Sequence, residues 1–263
     1  MINNKQDKLS VLKKSLTVII SVLLWLLIWE VSSHIIDLDF IFPCFIKTTR
    51  KLSALILTLN FWKIVSLSIL RIILGLLLGV IVAIVLFTIS VCVPITKIFI
   101  SVGMTVVKST PVASVVMILW VLLGSGNLPS VIALLMVSPI IWQNLINGYE
   151  SIDKNLLEVA SVFNFSWKKK LRLIIIPALT KYFIPAALTS VGLAWKSGIA
   201  AEIISYTKNS IGENIYDAKT YFEGDLLLSW TLVVIIISLI FEFAVKKISR
   251  RYEISGVKNS KSD

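Results

Sequence analysis

The chain has 263 residues, of which 57% are hydrophobic and 16% are charged, and its mean hydropathy is +0.90. Soluble domains carry about a quarter charged residues, so this composition excludes a soluble domain with one anchor and indicates a polytopic membrane protein. The net charge of +11 does not indicate a nucleic-acid partner, because the basic residues lie at the edges of apolar segments. Basic residues in those positions set the orientation of a membrane protein.

Six apolar segments are long enough to cross a membrane, since ~20 helical residues span the hydrocarbon core. We expect helices because an isolated strand cannot satisfy its backbone in lipid. Lys108 and Pro111 interrupt the third segment, Pro139 lies in the fourth, and the fifth contains Pro185, Lys196 and Glu202. The predicted spans are 15–36, 72–91, 98–123, 128–147, 182–206 and 226–245.

The first span and the segment after it allow alternatives. Lys13 and Lys14 precede the first apolar run, as in a signal peptide, but no small-residue cleavage site follows at 30–34, which favours an uncleaved span. Residues 43–64 mix polar and apolar side chains. They are compatible with a short interfacial amphipathic helix and equally with a solvated loop.

The distribution of Lys and Arg predicts the orientation. Seventeen of them lie in the N-terminal tail, the second loop, the loop between spans four and five, and the C-terminal tail, against seven on the other side. The side with the excess faces the cytoplasm, which places both termini and the fourth loop inside the cell. The predicted organisation is an N-terminal tail, first span and linker at 1–60, a core at 61–250 with a cytoplasmic loop at 150–177, and a cytoplasmic tail at 251–263.

The fourth loop contains the block EVASVFNFSWKKKLRLIIIP at 158–177. Apolar residues at helical spacing predict a short helix over 155–163. Asn164 can end this helix in a left-handed conformation, and Ser166 can begin a second one. Pro177 predicts a kink at the entry to the fifth span. The expected result is two short helices joined by a sharp turn, a shape suited to a cytoplasmic partner.

This block resembles the signature loop of the permease subunits of binding-protein-dependent ABC importers. The family pattern is Glu-Ala-Ala, three residues, Gly, nine residues, Ile, one residue and Leu-Pro. The departures are Val159 for the middle Ala, Asn164 for Gly and Ile176 for Leu. Segments 61–79, 111–124, 147–160 and 192–203 are also similar to the family, most of all to permeases for nitrate, sulfonates and taurine. The matching residues of the loop are Glu158, Ala160, Asn164, Ile174 and Pro177.

The resemblance implies an all-α integral membrane protein with six transmembrane helices and the type I ABC importer (MetI-like) permease fold. It implies a second permease copy, expected to make a homodimer, an extracytoplasmic solute-binding protein, and a cytoplasmic ATP-binding subunit that grips the loop. ATP would be used by that partner. This chain is expected to bind no cofactor, because it has no G-x-x-x-x-G-K-[ST] motif.

The same resemblance gives the loop residues their expected roles. Glu158 would order the loop or pair with a basic residue, Ala160 would let the helix sit close to the ATPase, and Asn164 would make the turn. The basic residues of the loop would contact acidic ATPase surface or inner-leaflet lipid phosphates, or would serve only as a topology signal. These residues are Lys168, Lys169 and Lys170.

Charged side chains inside the spans are candidates for the solute pathway. A central Lys costs about 2.5–3.5 kcal/mol on insertion scales, so Lys196 is expected to contact an anionic solute or to pair with a neighbouring helix. Glu202 lies roughly 240° further around the helix and is either a pathway residue or a structural one. Lys108, just before Pro111, is a third pathway candidate. Gly75 and Gly79 form G-x-x-x-G, which favours close helix packing within the subunit over a dimer seam.

The predicted function is solute import by a permease subunit in the bacterial inner membrane, for a small organic or inorganic anion such as a sulfonate or nitrate, or for a vitamin precursor. Catalytic and metal sites are not expected, since His34 is the only histidine. The alternatives are an ion-coupled secondary transporter, which would predict inverted repeats, a membrane scaffold that offers the same loop to a cytoplasmic partner, and an intramembrane enzyme.

Overall fold

The computed structural model describes residues 2–259, with side-chain surroundings for residues 16–247, so residues 260–263 of the predicted C-terminal tail lie outside it. The described residues form helices and turns without a strand, which confirms the all-α prediction. The elements are α1 (Ile2–Ile36), α2 (Phe45–Ile56), α3 (Leu59–Cys92), α4 (Pro94–Ser109), α5 (Val112–Leu123), α6 (Leu128–Glu150), α7 (Lys154–Val162), α8 (Trp167–Lys170), a π-helical turn (Leu171–Ile175), α9 (Ile176–Ile204), α10 (Ile211–Thr220) and α11 (Gly224–Asn259).

The membrane-spanning helices match the predicted pattern. In the described chain, five helical stretches are long and apolar enough to cross a membrane, and α4 with α5 makes a sixth if the bent pair is counted as one span. The two halves of that pair meet at 102°. Thr110 is extended (ψ 133°) because the ring of Pro111 disfavours the helical region for the residue before it. The predicted interruption at Pro111 is therefore a sharp break.

The fifth span differs from the prediction. It was expected to start near 182, after two separate short helices, but the helix runs without a break from Trp167 to Ile204. The second short helix is thus the first turn of the span. Pro177 lies in the first turn of α9, directly after the π-helical turn Leu171–Ile175. A local change to i→i+5 bonding is one way for a helix to accommodate such an irregularity without breaking.

The described chain divides into two compact units, residues 62–213 with 233–259, and residues 2–61 with 214–232. The core of the larger unit is built on α3, α6 and α9. Gly75 and Gly79 lie directly against α6, so that a Cβ on Gly75 would be 2.3 Å from the carbonyl oxygen of Ser130. The G-x-x-x-G seam therefore packs within the subunit, as predicted. Trp142 is fully buried and donates from Nε1 to Ser90 Oγ at 3.2 Å across the same two helices.

In the smaller unit, part of the segment 43–64 forms the amphipathic helix α2. Of the two predicted alternatives, the structure therefore shows the helix and not the solvated loop. The helix begins at Phe45, whose N–H is accepted by Glu30 Oε2 of α1 at 2.9 Å. Trp29 also donates from Nε1 to the carbonyl of Pro43 at 3.1 Å. These two bonds tie the start of α2 to α1. The predicted position of α2 at the membrane interface stays a prediction.

Candidate coupling and pathway sites

The predicted coupling loop forms a compact knob, which we define as residues 153–170. Asp153 starts α7 and accepts from Asn155 N–H at 2.9 Å through its side chain. Asn164 then turns the chain with φ 51°, as the sequence predicts. Ser166 has the backbone conformation of a helix start, although its side chain makes no capping bond. The knob thus joins α6 to the long fifth span by way of one short helix and one tight turn.

The turn at Asn164 is a Schellman motif. Phe165 N–H donates to the carbonyl of Ala160, and Asn164 N–H donates to the carbonyl of Ser161, both at 2.9 Å. This pair of bonds defines the motif and requires a left-handed residue at the position of Asn164. Gly and Asn are the residues that adopt this conformation at the lowest cost. The departure from the Gly of the family pattern therefore preserves the backbone geometry.

The inner side of the knob packs on the start of the fifth span. Ala160, Ile174 and Ile175 are buried together with Ile152, and Phe165 packs against this cluster. Ala160 and Phe165 occupy the two positions at which a hydrophobic contact commonly accompanies a Schellman motif. Two of the signature residues, Ala160 and Ile174, thus hold the knob to its own chain. Ala160 faces inward, so its small side chain has a role within the knob itself.

The outer side of the knob exposes large apolar side chains beside charged ones. Val162, Phe163 and Trp167 are 78%, 71% and 65% exposed. Glu158 is also exposed and makes no ion pair with a described basic side chain. Lys169 lies 4.0 Å from the ring centroid of Phe165, a cation–π contact. Exposed apolar groups rimmed by charges are typical of a protein-docking surface.

The remaining loop residues lie around this surface. Lys168 is exposed and Lys170 is partly buried, while Pro177 is exposed beyond the knob in α9. An ion pair between Lys97 and Glu150 joins the first turn of α4 to the last turn of α6, directly before the knob. The first half of the broken span is therefore tied to the helix that carries the knob.

Replacing Asn164 tests the backbone geometry of the knob. Asn164→Val should destabilise the turn by about 1–2 kcal/mol, because a left-handed conformation costs an ordinary L-residue that much. Amide exchange at Phe165, whose N–H closes the motif, should then accelerate roughly 5–30-fold. Asn164→Gly is the matched control and should stay within about threefold of the parent, since Gly adopts the same conformation. Equal exchange in the Val and Gly variants would contradict the assignment.

Lys196 lies at the edge of a groove between α9 and α11. Its side chain is exposed, and the groove is also lined by Ser238, Glu242 and Lys246. Trp195, the neighbouring residue, is buried and donates from Nε1 to the carbonyl of Val234 at 3.0 Å. This bond fixes α9 against α11 and turns Lys196 toward the groove. The role of Lys196 as a pathway residue stays a prediction.

Glu202 lies in a buried polar cluster instead of an open channel. Its side chain has no exposed surface, and Oε2 accepts from Ser68 Oγ at 2.9 Å and from Gly212 N–H at 3.2 Å. Ser68 Oγ in turn accepts from Ile211 N–H at 3.0 Å. The carboxyl group and the hydroxyl together satisfy the first amides of α10, which a helix cannot satisfy itself. The geometry favours the structural role among the two predicted for Glu202.

Arg71 completes this cluster. Its guanidinium donates to the carbonyls of Lys208 and Asn209 at 3.1 and 3.2 Å. It also lies 3.9 Å from Glu202 Oε1. Through Arg71, α3 thus holds the loop between α9 and α10, both at the two carbonyls and at Glu202 near the end of α9. Ser68 carried no sequence signal, because a single Ser in an apolar helix is unremarkable until its partner 134 residues away is known.

Lys108 lies in the last turn of α4 and is exposed. A cation is favoured there by the helix dipole, and the break at Pro111 follows within three residues. The structure therefore places Lys108 at the bend of the broken span, apart from Lys196 and its groove lining. Its contact with a solute stays a prediction.

The fold and these sites define a class of protein: a polytopic α-helical membrane protein that, in its described residues, has one broken span and an exposed knob between its fourth and fifth spans. The family model described as "Binding-protein-dependent transport system inner membrane component" matches residues 75–254. The match covers more than half of the chain, and it includes the knob, the Lys196 groove and Glu202 itself, whereas Ser68 and Arg71 of the Glu202 cluster lie before it. The chain belongs to this family of inner membrane transport components.

Two curated relatives match shorter stretches. SsuC of Bacillus subtilis, a permease protein named for the transport of aliphatic sulfonates, is 23% identical over 111 residues, which are 42% of this chain and 40% of SsuC. The bicarbonate transport system permease protein CmpB of Synechococcus elongatus is 31% identical over 107 residues, 39% of this chain and 38% of CmpB. The matched region thus spans about two fifths of the length of these relatives.

A solved structure shares the fold. A chain of the MetNI methionine ABC transporter, in an inward-facing conformation, superimposes with a TM-score of 0.56 at 14% sequence identity. The alignment covers 72% of this chain and 93% of that chain. At this identity the likeness supports the type I importer permease fold and nothing finer.

Proposed function

We propose that this chain is the membrane-spanning permease subunit of an ABC importer for small anionic solutes. The observation that carries the proposal is the knob at 153–170, in which the signature pattern is realised as a left-handed turn with an outward apolar surface. Family membership gives the setting, an inner membrane component of a binding-protein-dependent transport system. The knob is the part of this chain on which a separate ATPase would dock.

The proposed coupling uses connections within the larger unit. An ATPase that grips Val162, Phe163 and Trp167 would push on α7, whose buried side is packed on the start of the fifth span. Because α8, the π-helical turn and α9 are continuous, a tilt at the knob would be transmitted along the span. The Lys97–Glu150 pair would convey the same movement to the broken span.

The solute class is proposed on two grounds. The relatives SsuC and CmpB are named for aliphatic sulfonates and bicarbonate, which are anions. Lys196 supplies a positive charge inside the fifth span, where a cation is costly unless it has a function or a partner. Lys108 supplies another at the break of the third span.

The proposed assembly follows the family pattern. Two copies of this chain would enclose the pathway, and an extracytoplasmic solute-binding protein would deliver the anion. Both termini and the knob would face the cytoplasm of a bacterial cell, as the excess of seventeen basic residues over seven indicates. Inner-leaflet lipid phosphates would contact the basic residues next to the knob.

Co-purification tests the proposal directly. The tagged chain, expressed with its native neighbours and solubilised gently, should retain a stoichiometric ATP-hydrolysing subunit. The double variant Val162→Asp/Phe163→Asp should reduce the retained ATPase at least tenfold, since central apolar contacts in an interface are worth roughly 2 kcal/mol or more each. Both side chains are exposed, so the fold should be unaffected.

The matched control is the double variant Leu57→Asp/Leu59→Asp, which places the same two charges on side chains that are 87% and 91% exposed but lie outside the knob. It should retain the ATPase at the parent level. Full retention of the ATPase by the Val162→Asp/Phe163→Asp variant would refute docking at the knob, and a well-folded chain that retains no ATPase in any form would refute the importer function.

A further inference from the structure

The groove between α9 and α11 is a cavity of about 460 Å³ with charged residues at one side and apolar walls. Lys196 from α9 and Glu242 and Lys246 from α11 supply the charges, and Leu188 and Leu193 contribute apolar surface. The volume lies within the range of small-molecule sites, ~300–1,000 Å³. It is large enough for a small organic ion but has only a few polar groups to hold one.

The three charges do not balance. Glu242 forms an ion pair with Lys246, one helical turn further along α11. Lys196 makes no ion pair within 4.0 Å of a described carboxylate, although Glu242 lines the same groove. Two ammonium groups and one carboxylate leave one positive charge in excess. Between the largely apolar walls of the groove, that excess favours a singly charged anion over a neutral or doubly charged ligand.

Hydroxyl groups are available beside these charges. Ser238 lies on the α11 side of the groove, and Thr189 on the α9 side donates to the carbonyl of Pro185 at 3.1 Å. An oxyanion has several acceptor oxygens and is best held by donors of more than one kind. The ammonium groups of Lys196 and Lys246 and the hydroxyl of Ser238 form such a set.

We propose that this groove binds one singly charged oxyanion group, with Lys196 and Lys246 as its ligands and Glu242 as the counter-ion that the anion displaces from Lys246. The ligand would be a sulfonate or carboxylate of a small solute, or the phosphodiester of an inner-leaflet lipid. The first source deepens the proposed transport function and rests on it, whereas the second does not need it. Glu242 sets the selectivity, because its charge repels the second negative charge of a dianion.

Lysine footprinting of the purified full-length chain tests the site without any partner subunit. The chain is placed in phosphatidylcholine nanodiscs, and its amines are acetylated briefly and quantified by mass spectrometry. Ethanesulfonate should slow the modification of Lys196 and Lys246 about fivefold or more, the change expected when an ion pair covers an exposed amine. Sulfate at the same ionic strength should not slow the modification of these two lysines. Lys181, an exposed lysine earlier in α9, should be acetylated at the same rate under all conditions.

A second arm distinguishes the two sources of the anion. If phosphatidylglycerol nanodiscs slow the same two lysines while ethanesulfonate has no effect, the ligand is the lipid headgroup. Protection by ethanesulfonate in phosphatidylcholine identifies a solute site. Unchanged rates at both lysines in both arms would overturn the proposal, and so would equal protection by sulfate.

Variants assign the roles. Lys196→Gln should abolish the protection of Lys246, whereas Lys196→Arg should keep it and so shows that the groove is still folded. Glu242→Gln should allow sulfate to protect, because the repelling charge is gone. Lys181→Gln is the control outside the groove and should behave as the parent. The footprinting experiment contains no ATPase. If the lysines are not protected, the proposal that an ATPase docks on the knob is unaffected. If the chain does not retain an ATPase, the proposal of an anion site in this groove is unaffected.

Discussion

Gly75→Ala should strongly destabilise the packing of the larger unit, although it adds only one methyl group. The new Cβ would lie 2.3 Å from the carbonyl oxygen of Ser130 and 2.8 Å from the Cβ of Ala133. The backbone of α6 cannot move away from the new Cβ unless α3 and α6 separate. The loss of folding free energy should therefore be at the upper end of the range for overpacked cores, about 3 kcal/mol. The apparent Tm of the detergent-solubilised chain should fall by roughly 6–12 °C.

Gly103→Ala is the matched control for this experiment. A Cβ on Gly103 meets no atom within 4 Å, and Ala is favoured over Gly inside a helix by about 0.5–1 kcal/mol. The apparent Tm of this variant should therefore stay level or rise slightly. A similar loss of stability in both variants would mean that a Gly→Ala change destabilises these helices in general and that the close approach of Gly75 to α6 is not the cause.

Glu202→Ala should have the second large effect. The substitution removes the acceptor of both Ser68 Oγ and Gly212 N–H, and it leaves Arg71 without its carboxylate neighbour. Removing one member of a buried charged cluster costs about 3–5 kcal/mol, because the partners stay buried and unsatisfied. Amide exchange over residues 205–213, the segment that the cluster holds, should accelerate more than in the rest of the chain.

Two variants make the result specific. Glu202→Gln keeps an acceptor oxygen and should lose less than half as much stability as Glu202→Ala, a comparison that separates hydrogen bonding from charge. Glu150→Ala removes an exposed carboxylate that is also ion-paired, with Lys97, and exposed pairs contribute about 0–1 kcal/mol. Equal destabilisation by Glu202→Ala and Glu150→Ala would show that the buried cluster is not the reason for the effect.

The knob shows which structural features can be predicted from neighbouring residues in the sequence and which cannot. The left-handed turn at Asn164 was predictable, since the conformation depends on that residue and on the hydrogen bonds of its immediate neighbours. The inward orientation of Ala160 was not, because it depends on Ile174 and Ile175, which reach it only after the chain has turned. The merging of the second short helix into the fifth span was also missed, because Pro177 predicts a kink unless a π-helical turn precedes it.

The charged residues inside the spans show the same limit. The insertion cost of Lys196 and Glu202 marked both as unusual, and the angle between them correctly indicated that they do not share a face. Their surroundings differ because of residues far away in the chain: Glu242 and Lys246 for Lys196, Ser68 and Arg71 for Glu202. One therefore faces an open groove, whereas the other is buried in a hydrogen-bonded cluster.

The sequence by itself determined that the chain is helical, how many apolar segments can span a membrane, where the third span breaks, and which loop carries the family signature. These properties depend on the length of apolar segments and on the chemistry of residues next to one another. Only the tertiary structure decided that Gly75 and Gly79 face α6, that Arg71 and Glu202 hold the loop after α9, and that Lys196 shares a groove with α11. Such contacts join residues roughly 40 to 140 positions apart, and an apolar helix in a membrane has no polarity pattern that indicates which face meets which neighbour.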